Sequence, residues 1–274
     1  MKDFISVSPL KVLEKSSRKG LGPGNLGVLI ARAGVGKTAC LIHIAFDKIF
    51  RQEKLVHISL EEGPEKVTSY YNVMYYDLVK ALDIADESEI RLLIDRNRMI
   101  LAYLKQSFET ERLRISLKNL EENLEFRPDT LIVDGLDFER AERTLFEGFK
   151  VIAEEFDAEI WFSALSHRHI TEVNERGIPH PCQQLDDLFN IIIELQPGPS
   201  GVFLNLLKDH DNPAIADNGV RLDPNTFLAL SYGLLFFKES QSSWPDHCQL
   251  RICRLLLSPA WYICTFRRDC SSGK

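Results

Sequence analysis

Val28-Leu-Ile-Ala-Arg-Ala-Gly-Val-Gly-Lys-Thr38 is the stretch whose reading decides the fold. Val28, Leu29 and Ile30 make a short apolar run that reads as a buried strand. Residues Ala31 to Thr38 then follow the spacing of a phosphate-binding Walker A loop, with alanine in place of the first glycine. A helix is expected from Lys37. Gly34 and Gly36 let successive backbone N–H groups turn inward around an anion, an approach that side chains obstruct. The Lys37 ammonium would reach the β- and γ-phosphate oxygens, the Thr38 hydroxyl would ligate Mg²⁺, and the new helix would turn its positive end toward the anion. Ala33, Gly34, Val35, Gly36, Lys37, Thr38 and Ala39 are therefore the candidate binding residues. An ordinary glycine-rich strand-to-helix turn is the competing reading, and the strand before and helix after the motif weigh against it.

The 274 residues, 45% hydrophobic and 27% charged, suit a globular chain that buries one large core. No apolar run approaches the roughly 20 residues that span a bilayer, and the N-terminus lacks a signal-peptide core, so a cytoplasmic location and no membrane partner are expected. Net charge is -7, and residues 1 to 237 hold 27 basic against 37 acidic groups. Such a body is a poor constitutive polyanion binder, although a local basic loop can still bind nucleic acid. Cys248, Cys253, Cys264 and Cys270 crowd a tail beginning at Lys238, beside His247. Their spacing fits no usual zinc pattern, and a disulfide framework is unexpected in a chain of this size and location.

Outward from the Walker stretch, Pro9 to Ser16 reads as a short amphipathic helix. Gly20 to Gly27 is a turn-rich lead-in, and Lys37 to Phe50 is a helix with Leu41, Ile44, Ala45 and Ile49 on its core face. Lys54 to Leu60 reads as a strand ending at Glu61 and Glu62. Ligands of parallel α/β sheets sit at the carboxyl ends of strands, so a carboxylate there can polarise an attacking water; a solvated loop charge is the alternative. Residues 65 to 128 read as largely helical, with Asp86 and Glu89 as a capping box and a short strand at Arg98 to Leu104. Tyr70, Tyr71, Tyr75 and Tyr76 read as core or interface rather than a base-stacking platform. Thr130-Leu-Ile-Val-Asp134 is an apolar strand ending in aspartate, the Walker B pattern, which makes Asp134 the second candidate metal residue beside Thr38. Asp137 is an auxiliary candidate. The strand Glu159 to Ser166 leads to His167, either a γ-phosphate neighbour or a surface histidine. Arg168 to Gln184 reads as a polar loop that binds or moves. Strands at Asn190–Leu195, Val202–Leu207, Val220–Leu222 and Thr226–Leu230 read as a meander that closes the sheet.

The order of these features resembles the RecA-like P-loop ATPases, in particular the KaiC and DnaB-type replicative-helicase branches, over about Gly20 to Phe227. The resemblance implies an α/β fold with a mostly parallel central sheet flanked by helices and antiparallel strands near the C-terminal end. The expected organisation is residues 1–19 as a helical lead-in, 20–237 as the ATPase domain and 238–274 as the Cys-rich tail. Glu61 stands at the place of the family's catalytic glutamate, and the Glu61–Glu62 pair is similar to KaiC. His167 stands where DnaB-type helicases carry a γ-phosphate-sensing glutamine. Lys208 matches the lysine of a Lys-x-Arg element that reaches a neighbouring subunit's ATP in a ring, while His210 replaces the finger arginine, which implies slow turnover. The implied activity is Mg²⁺-dependent ATP binding and hydrolysis, with Lys37, Glu61, Glu62 and His167 as catalytic candidates. The alternatives are a nucleotide-dependent regulatory or scaffolding module with little turnover, and a DNA-dependent ATPase using the 168–184 loop.

Overall fold

The computed structural model describes residues 2–13, 20–84, 86–167, 170, 172–199, 201–212 and 219–230. All of them fall in one compact unit, Met1–Ser231. The expected boundary after residue 237 and the Cys-rich tail lie outside the described residues.

Six apolar segments form the parallel part of the sheet: β1 (Leu26–Ala31), β2 (Leu55–Ser59), β3 (Arg98–Ala102), β4 (Thr130–Asp134), β5 (Glu159–Leu165) and β6 (Ile191–Gly198). β1 and β2 are buried along their whole length, as strands covered on both faces must be. β7 (Gly201–Asp209) and β8 (Val220–Leu222) add on antiparallel, so the eight strands lie in the order β3-β2-β4-β5-β1-β6-β7-β8. The molecule is thus an α/β protein with a mostly parallel sheet and antiparallel strands at the C-terminal end.

The helices take the two faces. α2 (Lys37–Phe50), α3 (Pro64–Leu82) and α4 (Glu87–Asn97) cover one, where Phe46, Tyr71 and Trp161 are buried, and α5 (Thr110–Leu124) and α6 (Arg143–Phe156) cover the other, around Phe149 and Phe162. α2 spans the residues expected, and its buried stripe includes Leu41, Ile44, Ala45 and Ile49. Asp86 caps α4, its carboxylate accepting from the Glu89 N–H at 3.3 Å. Tyr71 and Tyr75 are core, whereas Tyr76 is exposed.

Two expected elements come out differently. Pro9–Leu13 is a 3₁₀ turn following the short helix α1 (Lys2–Ile5), not an α-helix. Its Leu10 N–H bonds the Ser8 hydroxyl at 3.2 Å, a local bond that competes with helical pairing. Thr226–Leu230 is not a strand. The Asp223 carboxylate accepts from Asn225 N, Thr226 N and Thr226 Oγ1 at 2.9 to 3.1 Å, which winds the chain into a turn and puts Phe227 at φ +55°. Ala229 alone of these residues bridges to β8, at Leu222.

Candidate functional site

Parallel pairing brings the carboxyl ends of four strands to one edge: Ala31 lies beside Leu165, and Ser59 beside Asp134. A cleft of about 570 Å³ opens there. The loop after β1 forms one wall, with Gly34 at φ +74° and Gly36 at φ +104°, conformations that glycine adopts without a Cβ clash. Gly36 is also the N-cap of α2 and supplies no side-chain cap, so the first turn of the helix presents its positive end to the cleft. The ring of Phe227 packs on this glycine, 2.0 Å from where a Cβ would stand.

Lys37 curls back over the loop, its Nζ donating to the carbonyls of Ala31 and Arg32 at 3.2 and 3.3 Å. Burial pulls this ammonium below the usual lysine value, and the nearby Asp134 and Glu61 carboxylates push it back. The Thr38 hydroxyl donates to Asp134 Oδ2 at 2.8 Å, and Ser163 Oγ donates to Asp134 Oδ1 at 2.5 Å. Both carboxylate oxygens of Asp134 are therefore held, one from α2 and one from β5. Gly135, at φ +84°, follows at once. A Cβ there would lie 2.7 Å from Glu61 Cγ, so this glycine makes room for Glu61 beside the end of β4. Glu61 lines the cleft and pairs with Lys105 at 3.1 Å. Across from it His167 lines the cleft from the end of β5, its Nε2 lying 3.1 Å from Glu139.

Of the expected site residues, Ala33, Gly34, Gly36, Lys37, Thr38, Glu61, Asp134 and His167 share this cleft, as does Asp137. Glu62 does not line it. Glu62 instead lines an adjoining cavity of about 220 Å³ that shares Thr38, Glu61 and Asp134 with the cleft, and there Tyr70 Oη of α3 donates to its carboxylate at 3.5 Å. Val35 and Ala39 do not line it either. Val35 is half-buried against the α2-side core and its N–H is used on the Arg32 carbonyl, and Ala39 is half-buried in the first turn of the helix.

Lys208 stands apart from the cleft of its own chain. It is half-buried and donates to the Asp186 carbonyl, with burial pulling its ammonium down and Asp186 pushing it back. His210 is buried at φ +51°, its Nε2 lying 3.0 Å from the Gly20 carbonyl. The expected charged group at residues 208–211 is thus largely turned inward. The 168–184 loop is also more packed than its polarity suggests. Ile178 and Cys182 are fully buried, and Arg176 pairs with Asp186 at 3.5 Å; Arg168, His169 and Thr171 lie outside the described residues.

Three cleft residues with polar side chains escape the sequence reading. Ser163 was within reach: the register pairs Val133 with Phe162, so the next residue of β5 must flank Asp134, and a lone serine in an apolar strand is the signal. Lys105 and Glu139 sit on irregular segments whose spacing carries no such signal. The assembled cleft offers two lysines, Lys37 and Lys105, two hydroxyls held on the Asp134 carboxylate, the further carboxylates of Glu61, Asp137 and Glu139, and an imidazole. That set can grip an anion and orient a water. Comparison with protein-family models gives no match, and comparison with curated proteins gives none. The class defined by fold and geometry is an α/β protein with a polar cleft at the carboxyl edge of a mostly parallel sheet. Among the described residues no helix is long and apolar enough to cross a membrane.

Proposed function

We propose that this chain is a RecA-like P-loop ATPase that binds Mg²⁺-ATP in the cleft and hydrolyses it. The observation that carries the reading is the convergence of Lys37, Thr38, Glu61 and Asp134 at one edge, from three separate strand ends. A glycine-rich turn at a helix N-terminus, a lysine that reaches over it and a hydroxyl–carboxylate pair are the parts that phosphoryl transfer requires.

Thr38 and Asp134 are the residues that would hold Mg²⁺. They are hard oxygen donors 2.8 Å apart, and Ser163 keeps the carboxylate in place. Two such donors suit an ion that retains waters and takes its remaining oxygens from phosphate. When bound, the ion supplies charge neutralisation at the phosphate oxygens. Lys37 and the loop N–H groups hold the phosphates. Glu61, released from Lys105, orients a water at the rim, and His167, steadied by Glu139, faces the same space.

The test is steady-state ATP hydrolysis over a wide range of protein concentration, with Lys37→Ala as the blank. Glu61→Gln should lower kcat by about 10² to 10⁴ while ATP binding is kept. A rate per subunit that rises with concentration supports a shared site in a homo-oligomeric ring. An unchanged rate in Glu61→Gln refutes the hydrolytic role. A second reading, a nucleotide-dependent regulatory module with little turnover, is favoured by the inward placement of Lys208 and His210. It expects ATP binding with no turnover above the blank.

A further inference from the structure

Two lysines line the cleft, and Glu61 acts on both. Its carboxylate is among those that push the Lys37 ammonium up, and its Oε1 lies 3.1 Å from Lys105 Nζ. A chain of close contacts ties Lys105 to the Thr38–Asp134 pair. Thr38 Oγ1 is 2.8 Å from Asp134 Oδ2, and Gly135 follows Asp134. The place of a Cβ on Gly135 is 2.7 Å from Glu61 Cγ, and Lys105 meets the far end of that same side chain. Both partners are accessible: the Lys105 side chain is 31% exposed and that of Glu61 63%. A pair so exposed contributes little and is readily exchanged for another. Lys105 itself opens a short 3₁₀ turn, Lys105–Ser107, that is pegged on both sides. Before it, the Tyr103 N–H bonds the Ser59 carbonyl at 3.0 Å and Tyr103 Oη donates to Ser116 Oγ at 2.8 Å. After it, the Phe108 ring stacks on Phe149 of α6, centroids 5.7 Å apart. A lysine between two such anchors is aimed by packing, as a working group must be. Among the described residues, Lys37 and Lys105 are the lysines and arginines that line the cleft, whereas Lys208 and His210 are bonded elsewhere, to the carbonyls of Asp186 and Gly20.

We propose that Lys105 is a catalytic residue: with ATP bound, its ammonium leaves Glu61 for an oxygen of the terminal phosphate. The proposal rests on the ATPase reading. One movement then does two things. It frees the Glu61 carboxylate to orient water, and it brings a second cation beside Lys37 to the phosphoryl group. The exchange is favoured because a terminal phosphate carries more negative charge and more acceptor oxygens than one carboxylate. In the reaction the water oxygen bonds to the γ-phosphorus as the bond from that phosphorus to the β–γ bridging oxygen breaks, giving ADP and inorganic phosphate. The released proton passes by way of Glu61 to solvent. Lys105 keeps its own protons and acts by charge, on oxygens whose share of negative charge changes during the transfer.

The test uses the full-length protein at concentrations where its rate per subunit no longer rises, with Lys37→Ala as the blank. Lys105→Ala changes a partly exposed side chain on a surface turn, so it keeps the fold. It should lower kcat for ATP about 10²-fold and leave KM within about threefold, the pattern of a contact made in the transition state alone. A second readout needs no turnover. ADP is titrated by calorimetry in the presence of Mg²⁺, with and without aluminium fluoride, which stands in for the phosphoryl group in transfer. The fluoride should tighten ADP on the wild type, and at least about tenfold less on Lys105→Ala, while ADP alone binds both proteins equally. An unchanged or raised kcat in Lys105→Ala, a rise in KM alone, or an equal fluoride effect in the two proteins overturns this inference and leaves the ATPase reading standing. Wild-type turnover no greater than that of Lys37→Ala overturns the ATPase reading, and this inference with it.

Discussion

Gly36→Ala tests the packing of the cleft wall without relying on any activity. The new Cβ would lie 2.0 Å from Phe227 Cζ and 2.3 Å from Cε1, at a backbone φ of +104°. Two costs therefore add. The left-handed conformation costs an L-residue about 1–2 kcal/mol, and forcing a methyl into a filled space costs about 1–3 kcal/mol more. Gly36→Ala should thus destabilise the fold by about 2–5 kcal/mol. Phe227→Ala removes the ring and nothing of the backbone term, so in its background Gly36→Ala should cost only about 1–2 kcal/mol. The assay is urea unfolding of the four members of the cycle, followed by two probes so that two-state behaviour is checked. The double variant should be more stable than the sum of the singles by about 1–3 kcal/mol. Additivity within about 0.5 kcal/mol would mean that the ring yields freely, and the close-packing argument would fail.

Ser163→Ala removes one of the two donors on Asp134 and should raise the Mg²⁺ concentration for half-maximal ATP hydrolysis about tenfold, the usual scale for outer-shell partners; an unshifted Mg²⁺ titration would show that Asp134 needs no second anchor. Burial pushes the His43 imidazole from 6.5 down to about 4, with its bond to the Thr226 carbonyl pushing back. His57 is likewise pushed to about 4, by burial first, with Asp134 opposing and Arg98 adding to it. The unfolded chain takes up these protons near pH 6.5 and the folded chain only near 4, so this stability is whole above about pH 6.5 and is lost as pH falls from there toward 4, on the order of 3 kcal/mol per histidine. Urea unfolding between pH 7.5 and 4.5 should show that slope, and His43→Phe should lower it by up to about one proton; an unaltered slope would refute the assignment. Hydrolysis by Glu61→Gln completes the set.

Much of the fold was legible because its signals are local. A glycine-rich loop after an apolar run set the start of α2, the apolar period carried it to Phe50, and an aspartate closing an apolar strand marked the edge where Glu61 also lies. What escaped depends on direction and on partners distant in sequence. Spacing alone could not show that Glu61 faces the cleft while Glu62 lies against Tyr70. Nor could charge tell that Lys208 bonds the Asp186 carbonyl and that His210 is buried on Gly20. Thr226–Leu230 has the composition of a strand, and the Asp223 side chain three residues earlier overrides it. Ser163 needed only the register between two strands already recognised.

The Val7 carbonyl accepts from the Ala229 N–H, and Phe4 stacks on His43, whose Nε2 lies 2.7 Å from the Thr226 carbonyl. The path of the described chain is therefore almost a closed ring, its first and last turns fastened to each other. Phe4 also meets Phe46 and Phe50 of α2, which lie near it in sequence, whereas the Val7–Ala229 bond closes over more than two hundred residues. Pairings of such long range slow the final step of folding. The bonds that join the two ends of the described chain are thus among the last to form.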